Sequence, residues 1–319
     1  MVKTLNLTDQ QKRRLGHLEP ALKTAVFAAD YNKAKEIAAD IQIILRQTGH
    51  ETRLMQSKNW LFEAALNAGE TLTAERGFRG VIEKTSSRTK VHIEATALLA
   101  VSLLRQNKLK DAEPLICKVI KSNCIKNDVR REKFIKSIAK RFEMEGFIAA
   151  IRNLDNAFLD VDQVDQEAIE AIRHNKSEEE LFAEIGRALP KQVVDYVYKI
   201  DQISRKQLTL AEVLYLPPPS YFEKKSDQGR GFFDSLKLVI WKSLCDPNSE
   251  IYKAWYSNGM SQVLTKKYYA IAVSSALIDL GFGVKTIAVA VTALLIKFGL
   301  EVYCEKYKPG ELLDGSFRI

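Results

Sequence analysis

The stretch GFGVKT (281–286) brings two glycines, a lysine and a threonine together, as a phosphate-binding loop would. Such a loop needs GxxxxGK[ST] between a strand and a helix, because the glycines let backbone amides wrap the phosphates. Val284 stands where the last glycine is required, and the preceding KKYYAIAVSSALIDL does not read as a strand. Gly281 and Gly283 read instead as a tight turn between helices. DVDQVDQEAIEA (160–171) has the carboxylate density of a calcium loop, but Asp165 and Ala171 occupy the places where that loop requires glycine and glutamate. It reads as an acidic helix start, with aspartates at the positive end of the helix dipole. His17, His50, His92 and His174 fall in four separate segments with no nucleophile motif beside them. His92, just ahead of an apolar run, reads as a helix-start residue. Cys117, Cys124, Cys245 and Cys304 form no CxxC pair and read as reduced, mostly buried thiols of a cytosolic protein. Neither set has the short fixed spacing of metal ligands. The expectation is no catalytic centre, no metal and no cofactor.

Charge is the stronger signal. Residues 105–141 hold 12 Lys/Arg against 4 Asp/Glu, and residues 155–184 hold 10 Asp/Glu against 2 Lys/Arg. The two blocks could be solvated faces that partly neutralise each other, or the first could be a surface for an acidic partner or nucleic acid. Its candidate contact residues are Arg105 and Lys108 on a turn and Arg130, Arg131, Lys133, Lys136 and Lys140 on the following helix. No nucleic-acid module is present, and no aromatic platform interleaves the basic residues.

The elements that must position these residues are helical. Only 8 Pro and 15 Gly punctuate 319 residues, and Ala, Leu, Ile, Lys and Glu favour helix. YNKAKEIAADIQ (31–42), TLTAERGFRGVI (71–82) and KLKDAEPLICKVI (108–120) align on Ala34, Ala74 and Ala112. Ala38, Phe78 and Ile116 follow four residues on, and Ile41, Val81 and Val119 seven residues on, which makes one stripe of a helix. Each stripe is preceded by another apolar helical segment and a short polar turn, so a two-helix unit repeats. Capping boxes start helices at Ser177/Glu180 and Thr209/Glu212. PPPSYFEKKSDQGRG (217–231) reads as a linker. Beyond it, residues 221–319 hold 15 of the 28 aromatic residues, and a short helix with Asp246 as N-cap and Asn258–Gly259 as its stop precedes two longer ones at about 261–280 and 284–307, ended by Pro309.

The segment LLAVSLLRQNKLKDAEPLICKVI resembles the tetratricopeptide repeat, and the resemblance covers about residues 18–122. It implies a helical solenoid that presents a concave surface to a protein or peptide, with Gln56, Asn59 and Glu63 facing the groove. The fold expectation is all-α: a tetratricopeptide-like array over 1–150, connecting helices over 151–216, a linker over 217–231 and an aromatic-rich helical domain over 232–319.

The last apolar run raises the question of a membrane. A span needs about 20 consecutive apolar residues, and only 11 separate Lys285 from Lys297. Asp279 and Glu301 interrupt the flanking segments, each costing about 2.5–3.5 kcal/mol near mid-bilayer. On a helical wheel Ile287, Val291, Leu294, Leu295, Phe298 and Val302 share one broad face. That face could serve the core, a subunit interface or a membrane surface.

The expected function is a cytoplasmic, non-enzymatic scaffold whose repeats bind a protein or peptide and whose C-terminal domain oligomerises or docks. The alternatives are a membrane-active effector using the last two helices, and nucleic-acid binding by the basic block. A solenoid joined to a small helical domain also recurs in bacterial signalling and defence systems, an analogy of fold alone.

Overall fold

The computed structural model describes residues 4–152, 158–218, 222–258 and 267–307. These residues form helices and turns, with no strand among them. In order, the helices are α1 (Asp9–Phe27), α2 (Tyr31–Gln47), α3 (Glu51–Asn67), α4 (Thr71–Lys84), α5 (Lys90–Arg105), α6 (Leu109–Ile120), α7 (Asp128–Ile151), α8 (Val161–Arg173), α9 (Glu178–Ala188), α10 (Lys191–Arg205), α11 (Leu210–Val213), α12 (Lys225–Leu244), α13 (Glu250–Asn258), α14 (Tyr268–Asp279), α15 (Lys285–Phe298) and α16 (Leu300–Lys306). The chain divides into two compact units, one built on Met1–Arg141 with Ile203–Leu216, the other on Phe142–Gln202 with Pro217–Pro309. The division falls inside α7 and α10.

In the first unit, tight turns fold consecutive helices against each other. Ala29, Gly49, Gly69 and Asn107 adopt φ of 53°, 72°, 88° and 58°. The N–H groups of Asp30, His50, Glu70 and Lys108 then reach back to the carbonyls of Ala25, Leu45, Ala65 and Leu103 at 2.9–3.0 Å. This left-handed C-terminal cap satisfies carbonyls that the helix end would orphan, and it reverses the chain at once. Each helix from α1 to α5 packs on its successor, and α3 also packs on α1 and α5. The aligned stripes lie inside: Ala34, Ala74 and Ala112 are fully buried, as are Phe78, Ile116, Ile41 and Val119. The alanines lack bulk, which lets the paired helix approach.

The second unit is organised round α15. Nine consecutive residues, Ile287 to Leu295, are buried, and α8, α9, α14 and α16 pack against the helix. A helix that is apolar all round belongs inside a protein or a bilayer. α8 and α9 bring Val164, Ala168, Leu181, Phe182 and Ile185 to the same core. The aromatic-rich C-terminal segment therefore does not close a core by itself; it completes one with helices that precede the prolines. Phe147 and Phe282 flank Phe232 at 5.7 Å between ring centroids, and Phe182 meets Phe233 at 5.7 Å, separations typical of edge-on aromatic packing.

Several expectations need correction here. α12 starts at Lys225, inside the stretch read as a linker, and Gly229 and Gly231 are buried within it. The glycines serve close packing rather than a loop. A methyl group at Gly229 would lie 1.9 Å from the Phe182 carbonyl oxygen, and one at Gly186 would lie 1.8 Å from that of Lys225, so the α9 and α12 backbones meet with no room for a Cβ. Asp246 does not cap α13. Its carboxylate accepts from the Asn248 N–H, while the Ser249 hydroxyl accepts from Tyr252 N–H at the helix start. Gly259, residues 261–266 and Pro309 lie outside the described residues. Cys245 and Cys304 are not thiols: they form a disulfide tying the end of α12 to α16, 59 positions apart in sequence. Cys117 and Cys124 are free. Both capping boxes are present, and Thr8 with Gln11 forms a third at α1.

Candidate functional site

The residues expected in a groove lie on α3, and the packing of α3 between α1 and α5 decides what they do. Asn59 and Glu63 are buried, at 0% and 4% exposure. Asn59 donates to the Val91 carbonyl at 3.0 Å and to Glu94 at 3.2 Å. Gln56 donates to the same Glu94 carboxylate at 2.7 Å. Towards α1, Arg53 forms a two-pronged pair with Glu19 at 2.6 and 2.9 Å, and that bond raises the guanidinium's affinity for its proton. Lys23 lies over the Trp60 ring at 4.4 Å. The polar face of α3 is thus a seam of interhelical bonds, and Asn59 and Glu63 are withdrawn from solvent. Of the three, only Gln56 reaches open space. With Thr4, His50, Glu51, Arg53 and Val91 it lines a cleft of about 750 Å³.

His92 starts α5 as expected, its N–H accepted by Thr89. Its ring is buried, with Nδ1 against Thr85 and Nε2 against the Lys118 ammonium at 2.8 Å. Burial, then the Lys118 charge, depress its pKa. The ring is therefore neutral, with Nδ1 donating to the Thr85 carbonyl and Nε2 accepting from Lys118. Among the described residues no three His, Cys, Asp or Glu cluster as metal ligands would.

The basic block separates into anchors and an exposed face. Arg105 donates to the Leu66 carbonyl at 2.7 Å, and Lys108 to Gln106 at 2.6 Å. Arg131 is the deepest anchor. Its guanidinium donates to the Ser122 and Ile120 carbonyls, both at 2.6 Å, and to Glu212 at 3.0 Å. Burial alone would raise the Glu212 carboxyl, but the Thr209 backbone N–H and Arg131 outweigh it and hold it below its ordinary value. This one side chain ties the end of α6, the start of α7 and α11 together. Arg130, Lys133, Lys136 and Lys140 are exposed. Spacings of three, three and four residues place them on one face of α7. Lys136 pairs with Glu132; among the described residues Arg130 and Lys133 have no side-chain partner.

Part of the acidic block is drawn into ion pairs. Within the second unit Asp162 pairs with Lys267 at 2.7 Å, Glu167 with Lys285 at 2.8 Å, Glu184 with Lys176 at 2.6 Å and Glu179 with Arg230 at 2.9 Å. Lysines beside the apolar α14 and α15 are thus held by carboxylates of α8. This pairing was not visible in the sequence, where the partners stand over 100 positions apart.

The face expected to meet a subunit or a membrane is largely internal. Ile287, Val291, Leu294 and Leu295 are fully buried in their own unit, Phe298 is half-buried, and only Val302, on α16, is exposed. Among the described residues no single helix is long and apolar enough to cross a membrane. α15 and α16 would suffice together, but they bend by 94° where Gly299 breaks them.

No protein family matches the chain, and neither the curated proteins nor the solved structures contain a match to it.

Proposed function

We propose that this chain is a non-enzymatic adaptor that docks an acidic partner on the basic face of α7. The observation that carries this reading is the imbalance between the two charge blocks. Asp162, Glu167, Glu179 and Glu184 of the acidic block are paired inside the second unit, whereas Arg130 and Lys133 stand exposed without partners among the described residues on a helix fixed by Arg131. The first unit is read as a tetratricopeptide-like array. The left-handed turns at Ala29, Gly69 and Asn107, each five residues before a buried alanine, support that reading. In this reading the array is a rigid frame for α7, because Gln56 and Asn59 are spent on bonds to α5 and Glu63 is buried. The second unit would serve docking or self-association.

The test is binding of a labelled acidic polypeptide, polyglutamate, to the full chain. Saturable binding that weakens with salt and is lost in Arg130→Glu/Lys133→Glu supports the adaptor. Binding indifferent to those substitutions overturns it. If DNA or RNA of equal charge density binds far better than polyglutamate, the nucleic-acid reading replaces it.

A further inference from the structure

Three cations of the first unit converge beside the start of α3. Turns at Gly49 and Gly69 reverse the chain before and after α3, so the ends of α2 and α4 both lie near its start. Arg46 stands in the last turn of α2 and Lys84 in the last turn of α4. Lys58 stands two turns into α3, which packs against both helices. It shares a face with Leu54, Leu61 and Ala65, all buried, and lies across the helix from Gln56. Helical side chains lean toward the N-terminal end, so that of Lys58 leads toward Arg46 and Lys84. The residue is half-buried. Burial, then the charges of Arg46 and Lys84, depress its pKa, and no carboxylate acts to raise it. A methyl group at Gly77 would strike the Phe62 ring, so α4 touches α3 one turn beyond Lys58. At Gly80, one turn before Lys84, it would meet nothing within 4 Å, which leaves space there.

A cation in the last turn of a helix suits the helix dipole, and that accounts for Arg46 and Lys84 singly. It does not account for Lys58, held within reach of two like charges. Among the described residues none of the three has a hydrogen-bonded or ion-paired side-chain partner. Packing holds the cluster together against its own repulsion, and an anion would relieve it.

We infer that Arg46, Lys58 and Lys84 form a binding site for a phosphate group, either the free ion or a phosphomonoester on a small molecule. A phosphate monoester carries about 1.5–2 negative charges at neutral pH and three strong acceptor oxygens, against one charge on a carboxylate. The Arg46 guanidinium can take two of those oxygens in its fork, while Lys58 and Lys84 supply compact point charges. The site uses no residue of α7, so the inference goes beyond the adaptor reading and does not rest on it.

The experiment is calorimetric titration of the full chain with inorganic phosphate, glycerol 3-phosphate and acetate at low ionic strength. Both phosphates should bind saturably at one site per chain, and the tighter of the two identifies the ligand as free ion or ester. Acetate should bind about tenfold more weakly or worse, and each of Arg46→Gln, Lys58→Gln and Lys84→Gln should weaken phosphate about tenfold, as loss of a charge-assisted hydrogen bond would. A melting scan separates recognition from folding. Lys58→Met should raise the midpoint of the phosphate-free chain by removing a repelled, half-buried ammonium, and phosphate should no longer raise it further. Absence of phosphate binding, acetate binding as tight as phosphate, or binding indifferent to the three glutamine substitutions overturns the inference. A lower midpoint in Lys58→Met does so too, because the ammonium would then already have a partner in the protein. Phosphate binding lost in Arg130→Glu/Lys133→Glu would place the anion on α7 and overturn it as well. Phosphate binding without polyglutamate binding sinks the adaptor and spares this site.

Discussion

Reducing the Cys245–Cys304 bond, or replacing both residues with alanine, should loosen the second unit by an amount that follows from chain length. The two cysteines are 59 residues apart. Cross-linking a loop of that length removes about 14 cal/mol/K of entropy from the unfolded chain, or about 4 kcal/mol at 25 °C, and measured disulfides usually deliver about 2–4 kcal/mol. For a unit of this size each kcal/mol moves the melting midpoint by about 2–4 °C. A loss of about 3 kcal/mol therefore lowers the midpoint of that transition by about 6–12 °C. The effect should be confined to stability. α16 keeps the Tyr303 hydroxyl on the Lys237 carbonyl at 2.9 Å and the Trp241 indole N–H on the Cys304 carbonyl at 2.8 Å, and Tyr303 is fully buried. Helix content at 25 °C should stay unchanged, while amide exchange in α16 quickens. The assay is calorimetry with and without a dithiol reductant, beside thiol titration of the denatured, unreduced chain. Four titratable thiols instead of two would refute the bond. A melting profile indifferent to the reductant would refute the magnitude.

Four further outcomes follow from the same geometry. Ala29→Gly should stabilise the first unit by up to about 1 kcal/mol, because an alanine held at φ 53° is replaced by the residue that tolerates it; a lower midpoint in urea would contradict this. Gly229→Ala or Gly186→Ala should cost about 3 kcal/mol or more through overpacking of α9 on α12, whereas Gly80→Ala, with nothing within 4 Å, should be neutral or stabilising by denaturant titration. Arg131→Met should cost about 3 kcal/mol and release α11, because it strands the Glu212 carboxylate and two carbonyls; Arg131→Lys should recover only part, since an ammonium cannot reproduce the forked donors. His92 has its pKa depressed by burial and by Lys118, so the neutral ring contributes stability above its unfolded value near 6.5 that is lost as pH falls through the lower folded value. Melting scans from neutral to acid pH should show a falling midpoint, less steep in His92→Gln, and equal slopes would exclude His92 as the titrating group.

The sequence revealed local signals best. Capping boxes, the polar turns between paired helices and the alanine stripes are each written within a few residues, so their physics is complete in a short window. Gln56, Asn59 and Glu63 show where such reading fails. A polar residue on an apolar helix looks the same whether it faces a ligand or a neighbouring carbonyl, and only the position of Val91 and Glu94 decides. Gly229 misled because a glycine after prolines signals a loop, while its use here depends on Phe182, far away in the chain. The helical wheel placed Ile287, Val291, Leu294 and Leu295 on a face that is buried, but it ran across Gly299 and carried Val302, exposed on α16, onto the same face. It could not show that Ala290, Thr292 and Ala293 on the flank are buried too, because that depends on how many neighbours surround the helix.

That encircled helix sets an order for biosynthesis. α8, α9 and α14 leave the ribosome before Ile287–Leu295, the segment they pack against. During that interval Val164 and Ala168 on α8 and Leu181, Phe182 and Ile185 on α9 have no α15 to close on, and such surfaces attract chaperones or one another. The first unit's helix pairs close on neighbours made moments earlier. A ribosome stalled before residue 285 would carry completed hairpins at one end and an open shell at the other, and the quality-control burden of this protein would rest on its last apolar segment.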